Sequence, residues 1–136
     1  MTGRLRISRG RGMEIIRKTI GGSVVLSPVG RIEMTTADPF REQVLAALDG
    51  LGAGGAVVID CAHLDYVSSA GLRALMIASK SAKASTKALA VVAMQPVVRE
   101  IFQISRFDLV VACFETVREA LGKLDPAALD AAAGDA

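Results

Sequence analysis

The sequence predicts an α/β domain: an N-terminal β-hairpin, then alternating helices and strands, in a mixed four- to five-stranded sheet with helices packed mainly on one face. Three observations carry that expectation. Two β-rich runs flank Gly21-Gly22, a dipeptide suited to a two-residue hairpin turn. Ala56-Val57-Val58-Ile59-Asp60 is a continuous apolar run of the kind found in strands buried on both faces. Beyond it, strand-like runs alternate with stretches whose apolar residues recur at helical spacing.

The elements follow in order. Residues 14–20 and 23–29 form the hairpin. Gly30-Arg31-Ile32-Glu33 then leads to Thr35-Thr36-Ala37-Asp38-Pro39, where hydroxyl and acid caps with a first-turn proline announce a helix. Phe40, Val44, Ala47 and Leu48 give it one apolar stripe. The glycines between Asp49 and Gly55 close this helix and precede a strand, the reverse of a phosphate-binding loop, so they read as a C-cap and connection. After the strand at residues 56–60, a second helix turns Leu72, Leu75, Met76 and Ser79 inward and leaves Arg73, Lys80, Lys83 and Lys87 outside. A strand at residues 88–93 precedes a helix opened by Pro96, with Val97, Val98, Ile101 and Phe102 on its apolar side. A last strand spans residues 109–113, and Thr116 caps a helix that runs to Leu124. Asp125-Pro126 breaks it, and the alanine-rich remainder to Ala136 has the composition of a further helix or a fraying end.

With 136 residues the chain suits one domain with a core and is short for two. Its mean hydropathy is positive (+0.43), yet the longest apolar runs, such as residues 88–94, fall far short of the ~20 residues of a bilayer span. Arg4, Arg6, Arg9 and Arg11 lie in an opening segment without acids, and removing those four charges from the total of +2 leaves −2. Residues 1–12 therefore read as a basic, disordered tail, residues 13–124 as the domain and residues 125–136 as an Ala-rich extension. The tail has no interleaved aromatics for base stacking, so direct nucleic-acid binding is not expected. Cys61 and Cys113 read as two buried thiols of a reducing, cytoplasmic environment, and with one histidine, His63, a structural zinc site is not expected.

The chemistry concentrates at Leu64-Asp65-Tyr66-Val67-Ser68-Ser69-Ala70-Gly71-Leu72, which reads as a short loop delivering two hydroxyls to a helix start. Unpaired N–H groups and a partial positive charge make that position a natural serine cap, and equally a place where a phosphate is electrostatically welcome. The residues alone leave both readings open. A hydrolase is a remote alternative. Ser69-Ala70-Gly71 matches half of a nucleophile elbow, but Val67 replaces its first glycine and His63 is the one candidate base. Asp60 and Asp65, with Glu33, are candidates for a divalent-ion pocket, though carboxylates at strand ends are more often caps and loop anchors. No cofactor is expected.

Residues 60–72 resemble the signature of STAS domains, in particular the bacterial anti-sigma factor antagonists: a buried strand ending in Asp, an aromatic or aliphatic pair, Asp-Ser-Ser or Asp-Ser-Thr, and Gly-Leu. Pro28-Val29-Gly30-Arg31-Ile32-Glu33 with Thr36-Ala37, and Phe114-Glu115-Thr116 with Glu119-Ala120-Leu121, extend the resemblance over roughly residues 13–124. Alignment on Gly71 and Leu72 puts Ser69 at the family's phosphorylated serine, Ser68 where aspartate is common, and Ala70 where a second Ser or Thr is common. The resemblance implies a non-enzymatic, STAS-like domain that acts by partner switching. The bare form binds an anti-sigma factor that is also a serine kinase; the kinase, using ATP as its substrate, phosphorylates Ser69 and the complex separates. A serine phosphatase resets the cycle. The implied docking surface is Glu33, Thr35, Thr36, Ser68, Ser69, Ala70, Gly71, Leu72 and Arg73. An alternative within the same fold is an unphosphorylated adaptor subunit of a transport or sensory complex.

Overall fold

In the computed structural model, residues 5–10 and 13–134 are described, with side chains over residues 13–130. Strands β1 (Leu5–Gly10), β2 (Met13–Ile20) and β3 (Ser23–Ile32) form an antiparallel meander. Gly21, at φ 57°, supplies the left-handed backbone of the β2–β3 turn, which closes on the pair Ile20 and Ser23. The expectation of a disordered tail is thus corrected over residues 5–10, which pair with β2 from Leu5 opposite Lys18 to Gly10 opposite Met13. Reading charge without asking whether the segment could complete a neighbouring ladder missed this strand.

The rest alternates as expected: α1 (Met34–Asp49), β4 (Ala56–Asp60), β5 (Leu64–Val67), α2 (Ser69–Ala84), β6 (Ala88–Val92), α3 (Pro96–Ile104), β7 (Ala112–Phe114), α4 (Val117–Leu124) and α5 (Pro126–Gly134). The sheet order is β1-β2-β3-β4-β6-β7, parallel from β3 onward, with β5 also parallel to β3. The seven strands among the described residues exceed the four or five expected because β1 and β5 add to the sheet. Strand β3 is shared. Val24–Leu26 pair with β4, while Gly30–Ile32 pair with β5 across a register shift at Gly30/Arg31. Gly30, at φ 96°, occupies backbone space that a side chain rarely tolerates.

The period-2 alternation of each strand splits the core in two. Val24, Leu26, Val57, Ile59 and Val91 face α1, α2 and α3. Val25, Val58, Ala90 and Val92 face α4 and α5, packing with Ala120, Leu121 and Ala128. The stretch expected as an extension beyond the domain therefore contributes to its core through Ala128. Asp125, at the α4–α5 break, is buried and accepts a 2.6 Å hydrogen bond from Ser23 Oγ, which in turn accepts Ala56 N–H at 2.8 Å.

Several local expectations shift. Helix α1 starts at Met34, so Pro39 is its sixth residue and not a first-turn residue; the chain turns earlier because Thr36 Oγ1 accepts Glu33 N–H at 2.8 Å. The stripe Phe40, Val44, Ala47 and Leu48 is buried as read. Helix α2 buries Ala74, Leu75, Ala78, Ser79 and Ala82, whereas Leu72 and Met76 lie at its margin. In α3, Val98 and Phe102 are buried, but Val97 is exposed. The expected strand at 109–113 begins only at Ala112. A 3-10 turn over Phe107–Leu109 precedes it, because Phe107 packs edge-on against Phe102 with ring centroids 5.4 Å apart. Lys87 donates to Leu48 O at 2.8 Å, so it stabilises the C-terminal end of α1 rather than serving only α2. Cys61 is buried, and burial pushes its thiol well above the usual range; Cys113 is only half-buried, with a smaller upward push of the same origin. No helix among the described residues is long and apolar enough to cross a membrane.

Candidate functional site

The site grows from the forked end of β3. There Ile32 lies beside Val67 of β5, and Ser68 N–H donates to Ile32 O at 2.8 Å, which ties the start of α2 to the strand pair. Ser68 has extended backbone (φ −82°, ψ 173°) and its Oγ accepts Gly71 N–H at 3.2 Å. It is the N-cap, and it satisfies one of the otherwise orphaned donors of the first turn. Ser69 is the first helical residue and is exposed; among the described residues its hydroxyl has no hydrogen-bond partner. Of the two adjacent serines, Ser68 is committed to the cap and the Ser69 hydroxyl is free.

Gly71 explains how the helix start comes so close. A Cβ there would lie 2.7 Å from Ile32 Cγ2 and 2.8 Å from Val67 Cγ1, both buried and both β-branched. Only a hydrogen at this position lets α2 seat against β3 and β5 and hold Ser69 at the surface. Leu72 backs the same turn as a half-buried residue packed on the core.

Helix α1 supplies the facing wall. Met34, Ala37, Asp38 and Arg41 line a groove with Ser69, Ala70, Arg73 and Ala74 of α2, enclosing about 450 Å³. Its alanines leave an open floor, Met34 stands 83% exposed at the rim, and Arg41 pairs with Asp38 at 3.2 Å. Beside the groove, Arg31 lies 4.4 Å over the Tyr66 ring while its Nε donates to Glu33 Oε1 at 2.9 Å. Thr36 Oγ1 also donates to Arg31 O at 3.1 Å, so this ledge is tied to the α1 start.

Of the residues expected at the docking surface, Ser69, Ala70 and Arg73 share the groove. Glu33 and Thr36 form the neighbouring ledge, Thr35 is exposed on the first turn of α1, and Ser68, Gly71 and Leu72 hold the helix start in place. Met34 falls within the expected stretch 33–36, whereas sequence reasoning missed Asp38 and Arg41. Their spacing from the buried Phe40 and Val44 shows that they are off the core stripe, but not that they turn toward α2.

The other candidate chemistries find different surroundings. His63 precedes β5, and that four-residue strand puts ~13 Å of backbone between it and Ser68 at ~3.3 Å per residue. The short loop expected to bring base and nucleophile together is a strand, so His63 is not within hydrogen-bond reach of Ser69. Asp60 Oδ1 accepts Ala62 N–H at 3.0 Å, and Asp65 Oδ1 accepts from Gln95 Nε2 at 3.4 Å, so both act as loop anchors. Among the described residues no three His, Cys, Asp or Glu side chains cluster as metal ligands would.

Comparison with known proteins places the fold. The family model described as the STAS domain matches residues 14–120. A candidate anti-sigma factor antagonist of Bordetella bronchiseptica, BtrV, is 30% identical over 95 residues, covering 70% of this chain and 80% of that protein. Among solved structures, an anti-sigma factor antagonist from Mycobacterium paratuberculosis superposes with a TM-score of 0.73 at 24% identity, covering 86% of this chain and 97% of the other. A candidate anti-sigma factor antagonist from Thermotoga maritima gives 0.72 at 20% identity, covering 79% and 92%. At these identities the two structures establish the shared fold.

Proposed function

Since this chain belongs to the STAS domain family, we propose that it is an anti-sigma factor antagonist that works by partner switching through Ser69. The observation that carries this reading is the division of labour between adjacent serines. Ser68 is committed to capping, while the Ser69 hydroxyl is exposed and unengaged on the rim of a groove. The likeness to BtrV, itself named as a candidate antagonist, supports the same partner class.

In this mechanism the bare groove and the Arg31–Tyr66–Glu33 ledge dock onto a cytoplasmic anti-sigma factor that is also a serine kinase. Ser69 Oγ then attacks the γ-phosphorus of the kinase's ATP. The new O–P bond forms as the bond to the ADP oxygen breaks, and the hydroxyl proton leaves to solvent or a kinase base. The product carries about −1.5 to −2 charge in place of a neutral hydroxyl. A partner surface shaped for the hydroxyl must desolvate that charge, and a penalty of only ~3 kcal/mol lowers affinity over 100-fold. A serine phosphatase hydrolyses the ester and restores the bare form. The protein's own contribution is binding.

The test combines intact mass spectrometry with a binding assay. Incubation with the cognate kinase and ATP adds one phosphate to the native chain and none to Ser69→Ala. Ser69→Asp binds the anti-sigma factor at least tenfold more weakly than the native chain. A phosphate on another residue, or equal affinity for Ser69→Asp and native protein, refutes the mechanism.

A further inference from the structure

We propose that the groove between α1 and α2 also holds the modified state: a phosphate on Ser69 is clamped by Arg73 and Arg41. This rests on the reading of Ser69 as the phosphorylated residue. The argument begins with spacing. Ser69 and Arg73 are four residues apart on one helix, which puts their Cβ atoms ~5–6 Å apart on the same face, and an anion N-terminal to its cation is the favourable order. Arg73 is exposed and, among the described residues, has no ion-pair or hydrogen-bond partner. Its fork of donors is therefore uncommitted.

Arg41 approaches from the facing helix. It lines the same groove, with its side chain 32% exposed, and its present partner is Asp38 at 3.2 Å. Between the two walls, Ala37, Ala70 and Ala74 leave the floor open, so the groove has room for a phosphate at Ser69. Guanidinium forks match phosphate oxygens in paired, charge-assisted hydrogen bonds. The first turn of α2 contains no acidic residue, and its free N–H groups add to the attraction. Among the described residues, the one opposing charge lining the groove is Asp38, which competes with the phosphate for Arg41. Arg73 is the principal contact and Arg41 the second.

The experiment uses the full chain with phosphoserine introduced at position 69 during synthesis, so that neither kinase nor partner is needed. Phosphorus NMR follows the second ionisation, which lies near ~6 for an unperturbed phosphoserine. In the native background it falls about one pH unit lower, since nearby opposite charge favours the dianion. Arg73→Gln recovers at least half of that displacement, and Arg41→Gln with Arg73→Gln recovers most of it, leaving the contribution of the helix end. Asp38→Asn, which frees Arg41, lowers the ionisation further. Circular dichroism of each unphosphorylated variant checks that the surface changes leave the fold intact. Identical titrations for the native and doubly substituted chains overturn the clamp, as does an upward displacement in Asp38→Asn. Because no partner is present, the clamp can fail while Ser69 phosphorylation still releases an anti-sigma factor. Conversely, the titration can succeed while that release fails.

Discussion

Replacing Gly71 with alanine tests how the helix start is held. The added Cβ would meet Ile32 Cγ2 at 2.7 Å and Val67 Cγ1 at 2.8 Å, with Ile32 Cβ at 3.2 Å behind them. Ordinary carbon contacts lie at ~3.5–4.0 Å, so relief requires a movement on the order of 1 Å. Neither neighbour can swing aside, since both are buried and β-branched, with stiff χ1 angles. Overpacking of this kind costs ~1–3 kcal/mol, and the helical preference of alanine over glycine returns up to ~1 kcal/mol. The net expectation is a loss of roughly 1–2 kcal/mol, or about 4–8 °C in melting temperature for a domain of this size. Guanidinium titration is the assay: the midpoint falls while the slope is unchanged. Gly122→Ala serves as the control. Its Cβ would meet only the flexible tip of Leu129 at 3.3 Å, so it is neutral or stabilising. Pairing Gly71→Ala with Val67→Ala removes one of the two clashing methyls, so the double variant loses less than the sum of the single losses. A Gly71→Ala midpoint equal to or above the native one would refute the packing argument.

Three further outcomes follow from the contacts. Ser68→Ala loses the cap on Gly71 N–H and about 1 kcal/mol, while Ser69→Ala stays within ~0.5 kcal/mol of native; equal losses in thermal melts would contradict the assigned roles. Ser23→Ala strands both the Ala56 N–H and the buried Asp125 carboxylate, for a loss on the order of 2–3 kcal/mol and faster proteolysis near the α4–α5 break; native-like proteolysis and melting would show that the staple is dispensable. Glu115, hydrogen-bonded to Arg99, has its carboxyl held below the ordinary range. Its small stabilisation is therefore present above that range and lost as pH falls through the lowered value. The melting difference between native and Glu115→Gln is accordingly positive at neutral pH, weakened by salt and absent in acid; a difference that persists in acid would point to packing instead.

Whatever depends on local period and local chemistry was readable from the order of residues. The hairpin around Gly21-Gly22, the doubly buried strand at residues 56–60 and the α1 stripe from Phe40 to Leu48 were all legible, because side-chain direction repeats every two residues in a strand and about every 3.6 in a helix. The serine-glycine run marked the start of α2 through local capping chemistry. Tertiary structure alone decided which serine is spent and which is free, because that depends on Ser68 being tethered to Ile32 in another strand. It also decided that residues 64–67 pair with the end of β3, and that Arg41 faces Arg73 across a groove. Each of these joins residues more than thirty positions apart. Periodicity shows which side of an element avoids water, whereas the neighbour it meets is set by how whole elements pack.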